Sequence, residues 1–238
     1  MSMRVCATAV ALVTLVATVR ADMAVLEPDR DNTLFEDPTG MLSGGAADVL
    51  FAGKTAGGLT RRALLHFDLS GIPGGTVTSA VLRLQMDKTR AGSTPCTLHR
   101  VAADWGEGGS SGGSGGGGGG QATPGSVTWI HRFFDTVPWV TPGGNFVGAA
   151  SATTNVAGVG AYTWGSTPEM VSDVQAWLDA PGANFGWMVR GQETATQTAK
   201  RFVSRETASV VNRPQLTIVY TPLAVEERTW SGIKSIYR

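Results

Sequence analysis

Cysteine and histidine are both scarce in this sequence. Two cysteines and three histidines, His66, His99 and His131, are spread over 238 residues. No H-E-x-x-H and no Cys/His cluster of zinc spacing occurs, so the usual zinc centres are excluded. A serine triad would need one of those three histidines beside a partnered carboxylate, and the sequence offers no such pairing. Charge is also sparse, at 16% of residues, and balanced at 19 basic against 19 acidic. A nucleic-acid partner would want a basic face, and a membrane surface would want a polybasic run; neither is expected. Nor is there an apolar run of the roughly 20 residues a spanning helix needs. The nearest, Val5 to Val19, is about 15 residues long, behind Arg4 and ahead of Val19-Arg20-Ala21. That pattern predicts a secretory signal peptide over residues 1–21, with the mature chain starting at Asp22. Cys6 would leave with it. Cys96 would then be the sole thiol, so no intramolecular disulfide can form and the fold must rest on its core.

What remains reads as short strands separated by Gly, Pro, Asn and Asp. In "RRALLHFDLS", Ala63, Leu65, Phe67 and Leu69 share one face, with Arg62, His66 and Asp68 on the other. Ala80, Leu82, Leu84 and Met86 repeat the alternation against Arg83 and Gln85, as do Leu216, Ile218 and Tyr220. Period-two patterning at this density predicts antiparallel sheets with one buried face. One segment has helical period instead: about 166–180, with Val171, Val174, Trp177 and Leu178 on one side. Either Ser166 and Glu169 form a capping box, or Thr167 caps with Pro168 in the first position; Pro181-Gly182 ends it. The expected architecture is all-β, a jelly-roll-type β-sandwich of antiparallel strands over residues 22–222, with this one short amphipathic helix closing an open end. Residues 223–238 read as a C-terminal tail. In it Glu226 and Glu227 precede Trp230, Ile233 and Tyr237, with Lys234 and Arg238 behind, a pattern suited to a short helix.

Eleven of the fifteen residues from Gly106 to Gly120 are glycine. Glycine loses the most backbone entropy on ordering and offers nothing to pack, so residues 106–125 are expected to be a flexible loop, dispensable for folding. The run contains G-x-S-x-G twice, at Gly108–Gly112 and Gly112–Gly116. A nucleophile elbow needs a strand before the serine and a helix after it, and the flanks supply neither.

Asp104, Glu107 and Asp135 flank the run near His131. Two carboxylates suffice for glycoside chemistry, but nothing in the sequence shows the perturbed environment a catalytic acid needs. Asp29, Asp31, Asn32 and Asp37 supply oxygens that could hold a structural calcium ion, but they lack the ligand spacing of a known loop, and a turn-rich strand start is the favoured reading. No other cofactor is expected. The tryptophans carry more. Trp177 and Trp187 fit core positions and Trp129 fits a strand, whereas Trp105, Trp139 and Trp164 sit beside glycines, prolines or turns. There an indole either anchors a loop or forms an open platform for the apolar face of a pyranose. The expected ligand-binding residues are Trp105 and Trp139 as platforms, with Glu107, His131 and Asp135 as polar partners for hydroxyls. The competing expectation is that these residues only lock the "WIHRFF" segment onto the core.

The blocks "DNTLFED", "RRALLHFDLSGIPGGTVTSAVLRLQM", "LHRVAADWGEG", "VTWIHRFFDTVPWVTPGGNF", "VSDVQAWLDAPGANFGWMVRG" and "AKRFVSRE…RPQLTIVYT" together resemble the DNRLRE-domain proteins of bacteria, which are grouped with carbohydrate-binding module family 96. The likeness runs from about Asp31 to Thr221 and rests on the order of many short blocks. It implies a secreted jelly-roll, often an accessory module of polysaccharide-degrading or cell-surface proteins, with alginate among the family's ligands. No ligand-contacting motif maps onto particular residues of this chain. The leading expectation is therefore a secreted, non-catalytic polysaccharide-binding protein. The alternative is a structural or cell-surface subunit that associates with itself or with other envelope components; a hydrolase or lyase comes third.

Overall fold

The computed structural model of the chain describes residues 20–113 and 115–223. Residues 1–19 of the expected signal peptide and all but the first residue of the C-terminal tail lie outside them. Fifteen strands follow in order: β1 (Asp22–Leu26), β2 (Arg30–Phe35), β3 (Leu42–Ser43), β4 (Val49–Lys54), β5 (Thr60–His66), β6 (Thr76–Thr89), β7 (Thr94–Arg100), β8 (Gly120–Gln121), β9 (His131–Phe133), β10 (Val137–Pro138), β11 (Ala152–Val156), β12 (Gly160–Gly165), β13 (Trp187–Arg190), β14 (Lys200–Val203) and β15 (Gln215–Thr221). Among the described residues there is one α-helix, α1 (Pro168–Asp179), between β12 and β13.

Eleven strands join into one curled antiparallel sheet, in the order β1-β15-β6-β14-β4-β5-β13-β7-β11, with β12 added beside β6 and β2 beside β5. β4 is the hinge of the curl. Its Val49–Ala52 half pairs with β14, and Gly53–Lys54 pair with β5. The two halves close face to face on one core, giving the all-β sandwich expected. Leu82, Leu84 and Met86 of β6 meet Ala63 and Leu65 of β5, with Leu98, Val189, Phe202, Leu216 and Ile218 between them.

α1 closes this core with Met170, Val174 and Trp177, while Val171 and Leu178 pack at its margin. Of the two caps the sequence allows, Thr167 is the one used: its hydroxyl accepts from the Met170 N–H at 3.1 Å, with Pro168 in the first turn. Gln175 ties the helix to the start of β6, accepting from the Val77 N–H (2.8 Å) and donating to the Gly75 carbonyl (3.1 Å). Inside, the Trp177 and Trp187 rings meet edge-on with centroids 4.5 Å apart. Contacts of that kind contribute about 0.5–1.5 kcal/mol beyond the area they bury.

Two features depart from the sequence reading. The first is a second core. Leu34, Leu64 and Met188, on the opposite face of β2, β5 and β13, are buried beneath Val101, Trp105, Val127 and Trp139. The middle of this sheet is therefore covered on both faces, and residues 101–146 form the covering layer.

The second concerns the glycine run, which packs through Gly108, Gly112, Gly116, Gly119 and Gly120 rather than standing free. Gly120 pairs with Ser43, Ser110 Oγ donates to the Gln121 carbonyl at 2.5 Å, and the Ala46 N–H donates to the Ser110 carbonyl at 2.9 Å. Glycine is needed here because main chain lies directly on its neighbours. A Cβ at Gly108 (φ +72°) would stand 1.9 Å from Ser126 Oγ and 2.7 Å from its Cα, and one at Gly116 (φ +67°) 2.6 Å from Val49 Cγ2. Composition reports what a segment lacks in side chains; it does not report how closely its backbone can approach another.

Candidate functional site

The structure divides the five expected ligand-binding residues. Trp105 is fully buried and Trp139 is 4% exposed, both within the second core. Their indole N–H groups are used internally, Trp105 donating to the Phe185 carbonyl and Trp139 to the Thr128 carbonyl, each at 3.0 Å. The Arg30 guanidinium covers the Trp105 ring at 5.0 Å from its centroid. Neither ring presents a face on which a sugar could stack; both lie within the second core. Glu107 faces inward as well, accepting from the Asp31 N–H at 2.8 Å and pairing through both oxygens with Arg205 Nη1 at 3.1 and 3.2 Å. His131 and Asp135 stay on the β9–β10 hairpin. The His131 ring lies against Thr128 Oγ1 (3.3 Å) and the edge of Phe134, and Asp135 is exposed with φ +60°.

The four oxygen donors considered for calcium are likewise separately engaged. Asp29 pairs with His66 Nδ1 at 2.5 Å; although burial raises its pKa, the His66 hydrogen bond and charge outweigh it and hold Asp29 below the ordinary range. Asp37 accepts from Thr39 and the Met41 N–H, and Asn32 binds Ser43 and the Glu107 carbonyl. Asp31 is fully buried, accepts from the Arg205 N–H at 2.7 Å through Oδ2, and has no partner for Oδ1. Desolvation pushes its pKa up to about 8, with the neighbouring Glu107 charge adding to the rise. Among the described residues, no group of three or more His, Cys, Asp or Glu is arranged to hold a metal ion.

A different surface brings functional groups together. On the outer face of the sandwich, Arg201 of β14 stands opposite Phe51 of β4 on one side and Lys88 of β6 on the other. Cross-strand partners share a face, so the three side chains form a row over three strands. A register shift at Arg201/Phe202 leaves Asp87 as an extra residue in β6. Asp87 then reaches Arg201 in a two-pronged pair, Nε to Oδ1 and Nη2 to Oδ2, both 2.8 Å. That bond raises the Arg201 pKa above its ordinary value and fixes the guanidinium plane. Lys54, Arg90 and Gln197 complete a shallow pocket of about 140 Å³ around the row.

The glycine run borders this pocket. A Cβ at Gly117 would lie 3.6 Å from Phe51 Cζ, and one at Gly116 3.4 Å from Phe51 Cε2. The Gly117 carbonyl instead meets the Arg61 guanidinium at 3.4 Å. Sequence reasoning missed the surface because its cations come from three distant segments, "FAGK", "MDKTR" and "AKR", in a chain of zero formal charge. No local signal groups them; only the strand order does.

Among the described residues no helix is long and apolar enough to cross a membrane, which leaves strand-built spans unaddressed. Residues 32–111 match the family model of carbohydrate-binding module family 96, from β2 through β7 into the glycine run. The chain thus carries a domain like those of carbohydrate-binding module family 96. No curated protein matches it.

Proposed function

We propose that this protein is an extracellular, non-catalytic module that binds an acidic polysaccharide on the Phe51–Arg201–Lys88 face. The observation that carries the reading is the row itself: an aromatic ring, an oriented guanidinium and an ammonium side by side on three strands. A pyranose can lay its C–H face on the Phe51 ring while its carboxylate or sulfate meets Arg201 and Lys88. Lys54 and Arg90 extend the positive field to neighbouring sugar units, and Asp87 holds Arg201 ready without neutralising the face. A side-chain-free glycine wall beside Phe51 keeps that ring accessible to a bulky polymer. The likeness to carbohydrate-binding module family 96 supports the ligand class, and the charges around the pocket suit holding an anion rather than transferring a proton.

Exported material is expected to begin at Asp22, which N-terminal sequencing checks. Affinity for a polyuronate such as alginate should fall steeply between 50 and 500 mM salt and by about tenfold or more in Phe51→Ala, the loss expected for a stacking ring plus its screened charges. Salt-independent binding that Phe51→Ala leaves intact would reject this face.

The second reading, a self-associating structural subunit, is favoured by β1. Among the described residues it is an edge strand, and its Met23 and Val25 are 68% and 52% exposed. An unblocked edge with apolar residues facing out is a template for strand pairing between copies.

A further inference from the structure

The opposite end of β7 carries a second set of unspent polar groups. Arg100, the last residue of β7, borders a depression of about 410 Å³ between segment 147–151 and the first turns of α1. Asp173 of α1 is 9% exposed at its floor. One of its oxygens, Oδ2, is committed inward: it accepts the Ser151 hydroxyl at 2.5 Å and the Trp187 indole N–H at 2.9 Å. The other, Oδ1, faces Arg100 Nε at 3.7 Å, beyond hydrogen-bonding distance. The Arg100 guanidinium makes no side-chain hydrogen bond among the described residues. Arg100 and Asp173 thus form a loose ion pair whose remaining N–H groups and Oδ1 lie side by side, so that a hydroxyl resting on the pair can accept from Arg100 and donate to Asp173.

The depression continues in both composition and space. Arg100 and Val147 also border a neighbouring one of about 270 Å³ lined by Trp177 and Phe185, and Phe185 with Ala102 leads to a third that ends at Pro138 and Val140. Trp177, 1% exposed, keeps an indole N–H without an acceptor. Three linked depressions suit an extended chain rather than a single small molecule. Their charges are mixed: Arg100 and Arg132 stand against Glu169, Asp173 and Asp104, so a polyanion would gain nothing here.

We infer that this groove is a second carbohydrate site, taking an uncharged glycan chain whose adjacent hydroxyls bridge Arg100 and Asp173. It shares no residue with the basic face, and β7 alone, at 3.3–3.4 Å per residue, separates Arg100 from the Arg90 end by about 20 Å. With both sites filled, one molecule would tether a neutral polysaccharide to an acidic one.

The test uses the full chain, isotopically labelled, titrated with cellohexaose, laminarihexaose, mannohexaose and xylohexaose and, separately, with a hexauronate. The expected result is that at least one neutral hexasaccharide shifts the amide signals of Arg100, Ala149, Ser172 and Asp173 and leaves those of Phe51 and Arg201 in place. Arg100→Ala should weaken that binding at least tenfold, and so should Ala149→Trp, which fills the depression from an exposed position without touching the Asp173 bonds. Lys88→Ala should not affect it. Absence of these shifts with all four sugars at millimolar concentration, or shifts confined to the basic face, would overturn the inference. A failure of the basic face shows separately, as loss of the hexauronate response with the Arg100 signals unaffected.

Discussion

Asp31 sits fully buried beside Glu107, Arg205 and Glu206, and desolvation raises its pKa to about 8. The sign of the consequence is opposite to that of an ion-paired carboxylate. With its folded pKa above the unfolded one, the native state binds the extra proton between about pH 4 and pH 8, so this group's contribution to stability falls as pH rises through that window. Glu107, also raised by burial, adds in the same sense, whereas Asp29, Glu36, Asp37 and Glu193 are lowered and contribute oppositely. Comparison with Asp31→Asn isolates the group. Denaturant melts should show the variant gaining on the parent by up to about 1.4 kcal/mol per pH unit between pH 5 and pH 7; parallel pH profiles would mean Asp31 is ionised in the fold. Cys96 gives a second residue-scale check. It is fully buried, and burial pushes its thiol up to about 11 despite the nearby Lys200 charge. A thiol reagent at pH 8 should label it only after unfolding, and rapid labelling of the native chain would contradict that burial. Neither property was legible in the sequence, where Asp31 reads as one of several oxygen donors near a strand start and Cys96 as a lone thiol. Their environments come from Glu107, Arg205, β11, β12 and β14, far away in the chain.

At the scale of elements, alternation was legible and double burial was not. The faces read for Ala63, Leu65, Phe67 and Leu69 and for Ala80 to Met86 are those the sandwich uses. Yet Leu64 stands directly beside Leu65, and Trp187, Met188 and Val189 run together; all five are buried, with Leu64 and Met188 on the second face. Consecutive apolar residues in an otherwise alternating strand were the available signal that something covers the outer side. Trp105 and Trp139 belong to that cover, which is why turn-flanked indoles turned out to be core. Trp139→Ala should cost about 3–5 kcal/mol by thermal melting, the price of a large buried ring; an unchanged melting temperature would put the ring outside the core. The glycine segment makes a sharper comparison. Gly108→Ala and Gly116→Ala each force a Cβ into neighbouring atoms at positive φ and should destabilise by about 1–3 kcal/mol. Gly109→Ala, with nothing within 4 Å of its Cβ, should stay within about 0.5 kcal/mol. Equal, small effects at all three positions would restore the flexible loop that composition suggested.

For the whole molecule, zero formal charge conceals an uneven surface. The curl of one sheet through β4 places β14 between β4 and β6, and with it Arg201 between Phe51 and Lys88. The sandwich was legible because its pattern is local. The binding face was not, because Lys54, Lys88 and Arg201 converge only once strands distant in the chain become neighbours. Binding there depends on geometry the core fixes, so losing the cations should change affinity and leave folding alone. The direct measurement is calorimetric titration of alginate oligosaccharides into the full chain and its Lys88→Ala/Arg201→Ala variant at 50 mM salt, with melting curves of both. The account predicts an affinity at least tenfold weaker in the variant and a melting temperature within a few degrees of the parent. Equal affinities for the two proteins would contradict it.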